Sequence, residues 1–313
     1  TLSSSSAASD VYKRQTLRWM PDSRAVLPHR FDLSGFLLLA IAMVSISLSL
    51  DGLSGIGMQR ALVVVLMLGG FAGLAAYWLH ALRHPAPLFS PMLFRNGSFR
   101  VGLLGNLFAR IGSGSMPFLI PLLLQVCLGY SPMQAGMMML PVALASMGMK
   151  RFATPLIRSQ GYRRVLVGNT LLIGVLIASF SLIGPEMPLP LKILMLVVFG
   201  AFNSLQFTAM NTVTLKDLET TDASAGNSML SMVQMLAMSM GVTVAAALLS
   251  TFEQWLEPRP GFDTLDTFHA AFICIGLITA ASAWIFWQLE ADDHPDVRSR
   301  KEDAHKPQDV PLD

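Results

Sequence analysis

An arginine near the middle of a long apolar run has the most chemistry to offer in this 313-residue chain. Arg110 lies within the stretch from Arg100 to Leu128. At a helical rise of about 1.5 Å per residue it sits roughly 15 Å in from Arg100, near the midplane of a bilayer core about 30 Å thick. A guanidinium there cannot shed its proton and finds no bulk water to bond. Its burial costs at least about 2.5 kcal/mol, so such residues face a wet cavity or a partner and mark solute pathways by default. Asn106 precedes it by one turn, Gly112, Gly114, Pro117 and Pro121 follow, and Gln125 lies beyond. A polar stripe on a helix softened by Gly and Pro reads as a solute pathway; the alternative is an arginine held by carbonyls for packing.

Later runs add amides. Asn203 and Gln206 are spaced i,i+3, which predicts a shared helix face, while Asn211 lies nearer the end of the same run as a candidate cap. Asn227 and Gln234 belong to the following run. Asn203, Gln206 and Gln234 join the pathway candidates, although interhelical glue worth roughly 0.6 kcal/mol is the commoner fate of such amides. His80 and His84, spaced i,i+4, have the geometry to share a metal. Both sit in a basic juxtamembrane turn with no third ligand nearby, so an interfacial role is expected and no metal site. Nor is any other cofactor expected. His269 is not assigned a proton. Gly69 and Gly73 form a GxxxG that reads as helix packing. No Ser/His/Asp, Cys/His or carboxylate pair converges at one depth, which argues against an enzyme. No Asp or Glu lies well inside an apolar run, and proton coupling needs a titratable group there.

The elements that must position these residues are membrane helices. Hydrophobic residues make up 53% of the chain and charged ones 13%, against about 25% charge in soluble domains. Mean hydropathy is +0.53. Eight runs have membrane length: Leu33–Leu50, Ala61–Leu82, Val101–Leu128, Met133–Met149, Val165–Ile183, Leu189–Met210, Ser228–Phe252 and Phe268–Leu289. The fourth is short and carries Pro141. A net charge of +2 carries no message about nucleic acid; the placement of charge does the sorting. Eighteen of the 22 Lys and Arg fall on one side of this arrangement. Arg60, Lys192 and Arg259 fall on the other, with Arg110 inside. The positive-inside rule then puts both termini in the cytoplasm. Cys127 and Cys274 fall in or beside apolar runs, with no zinc-site spacing.

Residues 1–15 are Ser- and Ala-rich without an apolar core, so they are no signal peptide and read as a leader foreign to the rest of the chain. Residues 16–32 read as a cytoplasmic lead-in, and the charged segment 290–313 as a disordered cytoplasmic tail.

Several stretches carry a family resemblance. The basic connection Lys150 to Arg164 resembles the loop between the second and third helices of a major facilitator repeat: Gly161, Arg163 and Arg164 match, while Thr154 and Arg158 depart from the pattern. Pro87-Leu88-Phe89-Ser90-Pro91-Met92-Leu93-Phe94-Arg95-Asn96-Gly97-Ser98-Phe99 resembles the entry to the carboxy-terminal bundle of fourteen-helix drug/proton antiporters of that superfamily. Arg30-Phe31-Asp32-Leu33-Ser34-Gly35-Phe36 resembles the start of that family's two extra central helices, and the stretches around Arg110, Ser146 and Asn211 are similar to its multidrug transporters. The resemblance implies an all-α polytopic membrane fold of eight spans: a central pair over 33–82, a connection over 83–100, and a six-helix carboxy-terminal bundle over 101–289. That bundle would be two inverted three-helix repeats around a midplane site. It implies helices seven to fourteen of a proton-driven multidrug exporter of small amphipathic or cationic compounds in a bacterial inner membrane. Gly161, Arg163 and Arg164 would form its conformational-switch loop. Its partners would be the bilayer, the solute, and an amino-terminal six-helix half carrying the proton-coupling acids, without which the chain is inactive. The competing class is a non-transporting membrane interaction or assembly subunit.

Overall fold

A computed structural model describes residues 32–53, 59–85, 87–219, 222–256 and 263–289. The leader, nearly all of the lead-in and the tail lie outside the described residues.

The described chain is helical. In order come α1 (Leu33–Leu53), α2 (Arg60–Arg83), a 3₁₀ turn (Pro91–Arg95), α3 (Gly97–Val126), α4 (Pro132–Gln160) and α5 (Tyr162–Ser179), extended by a 3₁₀ turn (Phe180–Leu182). Then come α6 (Leu189–Leu215), α7 (Ala223–Leu256), α8 (Thr264–Ala281) and the short α9 (Ala283–Trp287). Seven spans, the last covering α8 and α9 together, are long and apolar enough to cross a membrane. The eighth, α4, has the length but carries Lys150, Arg151 and Arg158 in its final third. Helices are the natural answer to this composition, because a chain in lipid must satisfy its backbone N–H and C=O groups within each segment.

Most helices outrun their apolar windows. The largest departure is α4, which was expected to end at Met149 and continues to Gln160 through Pro141 and Pro155. Ser131 and Gln134 close a capping box at its start, and the connection to α5 shrinks to Gly161 alone. Gly161 has φ 80° and ψ 157°, a region open in practice only to glycine. The basic segment from Lys150 is thus mostly helix, since a solvated polar face continues a helix as readily as an apolar one.

Packing joins α1 to α2, α3 to α7, α4 to α6 and α5 to α8. The pairing among the last six long helices maps onto itself when α3, α4 and α5 are exchanged with α6, α7 and α8. Close backbone approach makes three of these seams. A Cβ on Gly200 of α6 would lie 2.6 Å from the Val142 carbonyl oxygen on α4. A Cβ on Gly241 of α7 would lie 2.6 Å from the Ile111 carbonyl oxygen and 2.9 Å from the Ser115 nitrogen on α3. A Cβ on Gly174 of α5 would lie 2.7 Å from the Gly276 carbonyl oxygen on α8. Small residues serve this purpose in membrane bundles, where helices gain little by hiding apolar surface from lipid. In α2 the register differs from the GxxxG expectation: Gly70 and Gly73 meet Ile46 and Ala42 of α1, while Gly69 faces open space.

At the non-basic end Phe180 packs edge-on to Phe199, ring centres 5.6 Å apart, and tilted against Phe272 at 5.7 Å, tying α5, α6 and α8 into one core.

Candidate substrate pathway

The Asn96 side chain accepts from the Phe99 N–H at 3.2 Å and starts α3, which carries Asn106 and Arg110 one turn apart on its buried side. Arg110 Nε donates to Asn106 Oδ1 at 3.0 Å. Asn106 Nδ2 donates to the Gly102 carbonyl at 2.9 Å and to Thr214 Oγ1 on α6 at 3.4 Å. Thr214 in turn donates to the Met210 carbonyl at 2.6 Å. With Nδ2 donating to two acceptors on its other side, the Asn106 amide is fixed with its oxygen toward the guanidinium.

Arg110 is only 7% exposed. Its guanidinium carbon lies 4.3 Å from the centre of the Phe207 ring on α6, a cation–π contact worth about 0.5–2 kcal/mol. Nη2 is buried and has no acceptor among the described residues. A buried donor in that condition costs about 1–3 kcal/mol. Phe207 itself is 42% exposed, so the cation lies just beneath an open face of the helix bundle.

Phe207 belongs to a stripe. Asn203, Phe207 and Asn211 follow one another at i,i+4 on α6 and lie on one face. Asn203 is half-buried, with no side-chain hydrogen bond among the described residues. Asn211 Oδ1 accepts from Gln234 Nε2 of α7 at 2.8 Å, so it joins two helices and is not merely a cap. The expected pairing of Asn203 with Gln206 dissolves. Gln206 is 3% exposed and turns into the seam with α5: its oxygen accepts from Asn169 Nδ2 at 2.7 Å and its amide donates to Thr170 Oγ1 at 2.6 Å. Side chains three apart differ by about 60° in direction, enough for one to point into a seam and the other out of it.

Gln125 lies about 22 Å along α3 from Arg110 and donates to the Pro121 carbonyl of its own helix at 3.0 Å. It is not brought to the Arg110 cluster. Asn227 is exposed near the start of α7. In the basic connection, Gly161 joins two helices, Arg163 stacks on Trp287 with 4.8 Å from guanidinium carbon to ring centre, and Arg164 is exposed. His269 bonds the Ile183 carbonyl at 3.0 Å.

Sequence reading missed Phe207 beside Arg110 and Thr214 beside Asn106; the i,i+4 row Asn203, Phe207, Asn211 was the available signal for the first. It also missed Asp32, which lies beside the histidine pair. The expectation that His80 and His84 lack a third candidate ligand is overturned: the ligand atoms of Asp32, His80 and His84 all lie within 4.8 Å of one another. Asp32 is 48 residues from His80 in sequence, so only the antiparallel packing of α1 on α2 brings them together.

Residues 102–310 match the family model described as Major Facilitator Superfamily. Three relatives carry the name "Putative multidrug resistance protein MdtD". The chain is 43% identical over 279 residues to that of Yersinia enterocolitica (88% of this chain, 58% of the relative). It is 43% identical over 283 residues to that of Serratia proteamaculans (88% and 58%). It is 46% identical over 269 residues to that of Salmonella heidelberg (84% and 56%). The chain thus spans a little over half the length of the curated relatives it matches. Apolar helices of membrane length, a symmetric pairing of the last six, and a match over two-thirds of the sequence agree: the chain belongs to the major facilitator superfamily, as an all-α, multi-pass protein of a bacterial inner membrane.

Proposed function

We propose that this chain is the carboxy-terminal part of a proton-driven exporter of small amphipathic or cationic compounds, with solute moving along the face that holds Arg110, Asn106, Asn203, Phe207 and Gln234. The observation that carries this reading is the Arg110 guanidinium, fixed through Nε, stacked on a half-open aromatic ring, and holding a buried Nη2 without an acceptor among the described residues. An arginine serving only as a staple would spend its donors on carbonyls of neighbouring helices. Within the proposed class, an amphipathic compound with an acceptor group suits this level best, because a cation would be repelled by the guanidinium. The multidrug name of the relatives supports the class.

The basic ends of the helices face the cytoplasm in this reading, with both termini there. Gly161, Arg163 and Arg164 act as the hinge of the conformational switch, and Gln206 and Gln125 serve the scaffold next to the path. No Asp or Glu occupies the middle of a described span. In this reading the proton-coupling acids belong to an amino-terminal half that covers the open face, and this chain by itself moves no substrate.

The test uses the full-length transporter, Arg110→Ala and Arg110→Lys, measuring melting temperature in detergent and efflux per molecule in vesicles. Arg110→Ala removes a desolvated charge, so folding should survive or improve while efflux is lost. Arg110→Lys keeps the charge without the planar fork and should recover only part of the activity. Normal efflux per molecule with a lowered melting temperature would move Arg110 to the scaffold.

A further inference from the structure

At the basic ends of α1 and α2 lies a second cluster that the transport reading does not use. The i,i+4 spacing puts His80, in the last turn of α2, and His84, its C-cap, on one side of the helix. Their ring centres are 5.0 Å apart and the planes 31° from parallel. Asp32, the residue just before α1, reaches across: His80 Nε2 lies 3.0 Å from Oδ1 and 3.1 Å from Oδ2. The carboxylate is 4% exposed. It is held from behind by the Gly35 N–H at 2.8 Å and the Ser34 hydroxyl at 2.9 Å on Oδ1, and by the Leu88 N–H at 3.3 Å on Oδ2.

We propose that Asp32, His80 and His84 form a binding site for a divalent first-row transition metal, zinc above all, that clamps the ends of α1 and α2. Two imidazoles and a carboxylate are a donor set for zinc and its neighbours, and imidazole disfavours calcium and magnesium. Tetrahedral zinc with bonds of about 2.0–2.1 Å sets its ligand atoms about 3.3 Å apart. The Asp32–His80 pair is already within a few tenths of an ångström of that spacing. The three ligand atoms lie within 4.8 Å, so closing the site takes a movement of roughly 1.5 Å by the half-exposed His84, within reach of a side-chain rotation. Burial would raise the Asp32 carboxyl, but the bonds from Gly35, His80, Ser34 and Leu88 outweigh it and hold the group down to about 2, so the ligand is anionic at neutral pH. The Gly35 and Leu88 amides and the Ser34 hydroxyl supply the outer contacts that orient a metal-binding carboxylate. Entry is open: a groove of about 420 Å³ lined by Ala76, Leu79, His80, Arg83 and His84 leads to the histidines. Arg83 adds positive charge there, which the Asp32 carboxylate offsets.

A simple Asp32–His80 ion pair joining the two helices accounts for the same short distances but makes no use of His84, and this decides the experiment. The full chain, purified in detergent and stripped with a chelator, is titrated with Zn²⁺ by calorimetry and with Co²⁺ by its visible d–d absorption. One metal per chain is expected, with a rise in melting temperature on Zn²⁺ addition. His84→Gln should weaken Zn²⁺ binding roughly tenfold or more and abolish that rise. His84→Cys, which restores a donor, should bind again, and His269→Gln should behave as the parent. A parent chain that binds no stoichiometric Zn²⁺ overturns the proposal, as does a His84→Gln chain that binds it undiminished.

Discussion

Arg110 and Gln206 look alike in sequence, polar residues inside apolar runs, and the structure gives them opposite surroundings. Gln206 spends its oxygen and its amide on Asn169 and Thr170 across the α5–α6 seam, whereas Arg110 keeps a buried nitrogen with no acceptor among the described residues beneath an open face. The expected consequences diverge. Gln206→Leu strands a hydrogen of the Asn169 amide and should cost about 1 kcal/mol, the scale of polar contacts between membrane helices, lowering the melting temperature by a few degrees. Efflux per molecule in the full-length transporter should be unchanged. Asn106→Leu should do the reverse: it frees the Arg110 Nε that Asn106 holds at 3.0 Å, so efflux falls by more than any loss of protein explains. Equal effects of the two substitutions on efflux would erase the distinction between path and seam.

At the scale of the elements, the seams are made by absent side chains. Gly241→Ala pushes a methyl against the Ile111 carbonyl and the Ser115 nitrogen, backbone atoms that cannot rotate away. It should separate α7 from α3, with an expected cost of about 1–3 kcal/mol and poor recovery from membranes. Gly168→Ala on the open side of α5 meets nothing within 4 Å and should be neutral, or stabilising by up to about 1 kcal/mol. Gly161→Ala is a third case, in which the backbone and not the space decides. At φ 80° and ψ 157° an alanine costs about 1–3 kcal/mol whatever the space around it, so the joint between α4 and α5 should loosen. Thermal melts of the three variants in one detergent rank them; a Gly241→Ala chain as stable as Gly168→Ala would contradict the close approach of α3 and α7.

For the molecule as a whole, the proposed orientation rests on the uneven distribution of Lys and Arg. Alkaline phosphatase fused after Leu289 should be inactive, and the same reporter fused near Glu257, between α7 and α8, should be active. The opposite pattern would invert every assignment of side. Vesicles holding only this chain should show no proton-dependent efflux, and co-expression with a matching six-helix amino-terminal half should restore it. Efflux from the chain alone would show that coupling does not depend on intramembrane carboxylates.

What the sequence determined by itself is what each segment settles alone. A stretch in lipid must close its own backbone hydrogen bonds, so apolar length announces each helix, and the spans from Leu33 to Leu289 were legible within a few residues at most ends. Composition stops being informative where solvent continues the helix, which is why the passage of α4 through Pro155 to Gln160 was not. Arg110 was legible as the central residue because a charge in an apolar run is conspicuous without any partner. Its surroundings were not. Phe207 reaches it, and Thr214 reaches its partner Asn106, only because α3 and α6 pack at one particular rotation, and the same rotation turns Gln206 away from Asn203 despite their spacing. Asp32 and His80 are 48 residues apart, and no local pattern links them. Contacts between helices depend on rotation and depth together, and those come from which small residues admit a neighbour's backbone, a property of two surfaces that neither segment carries alone.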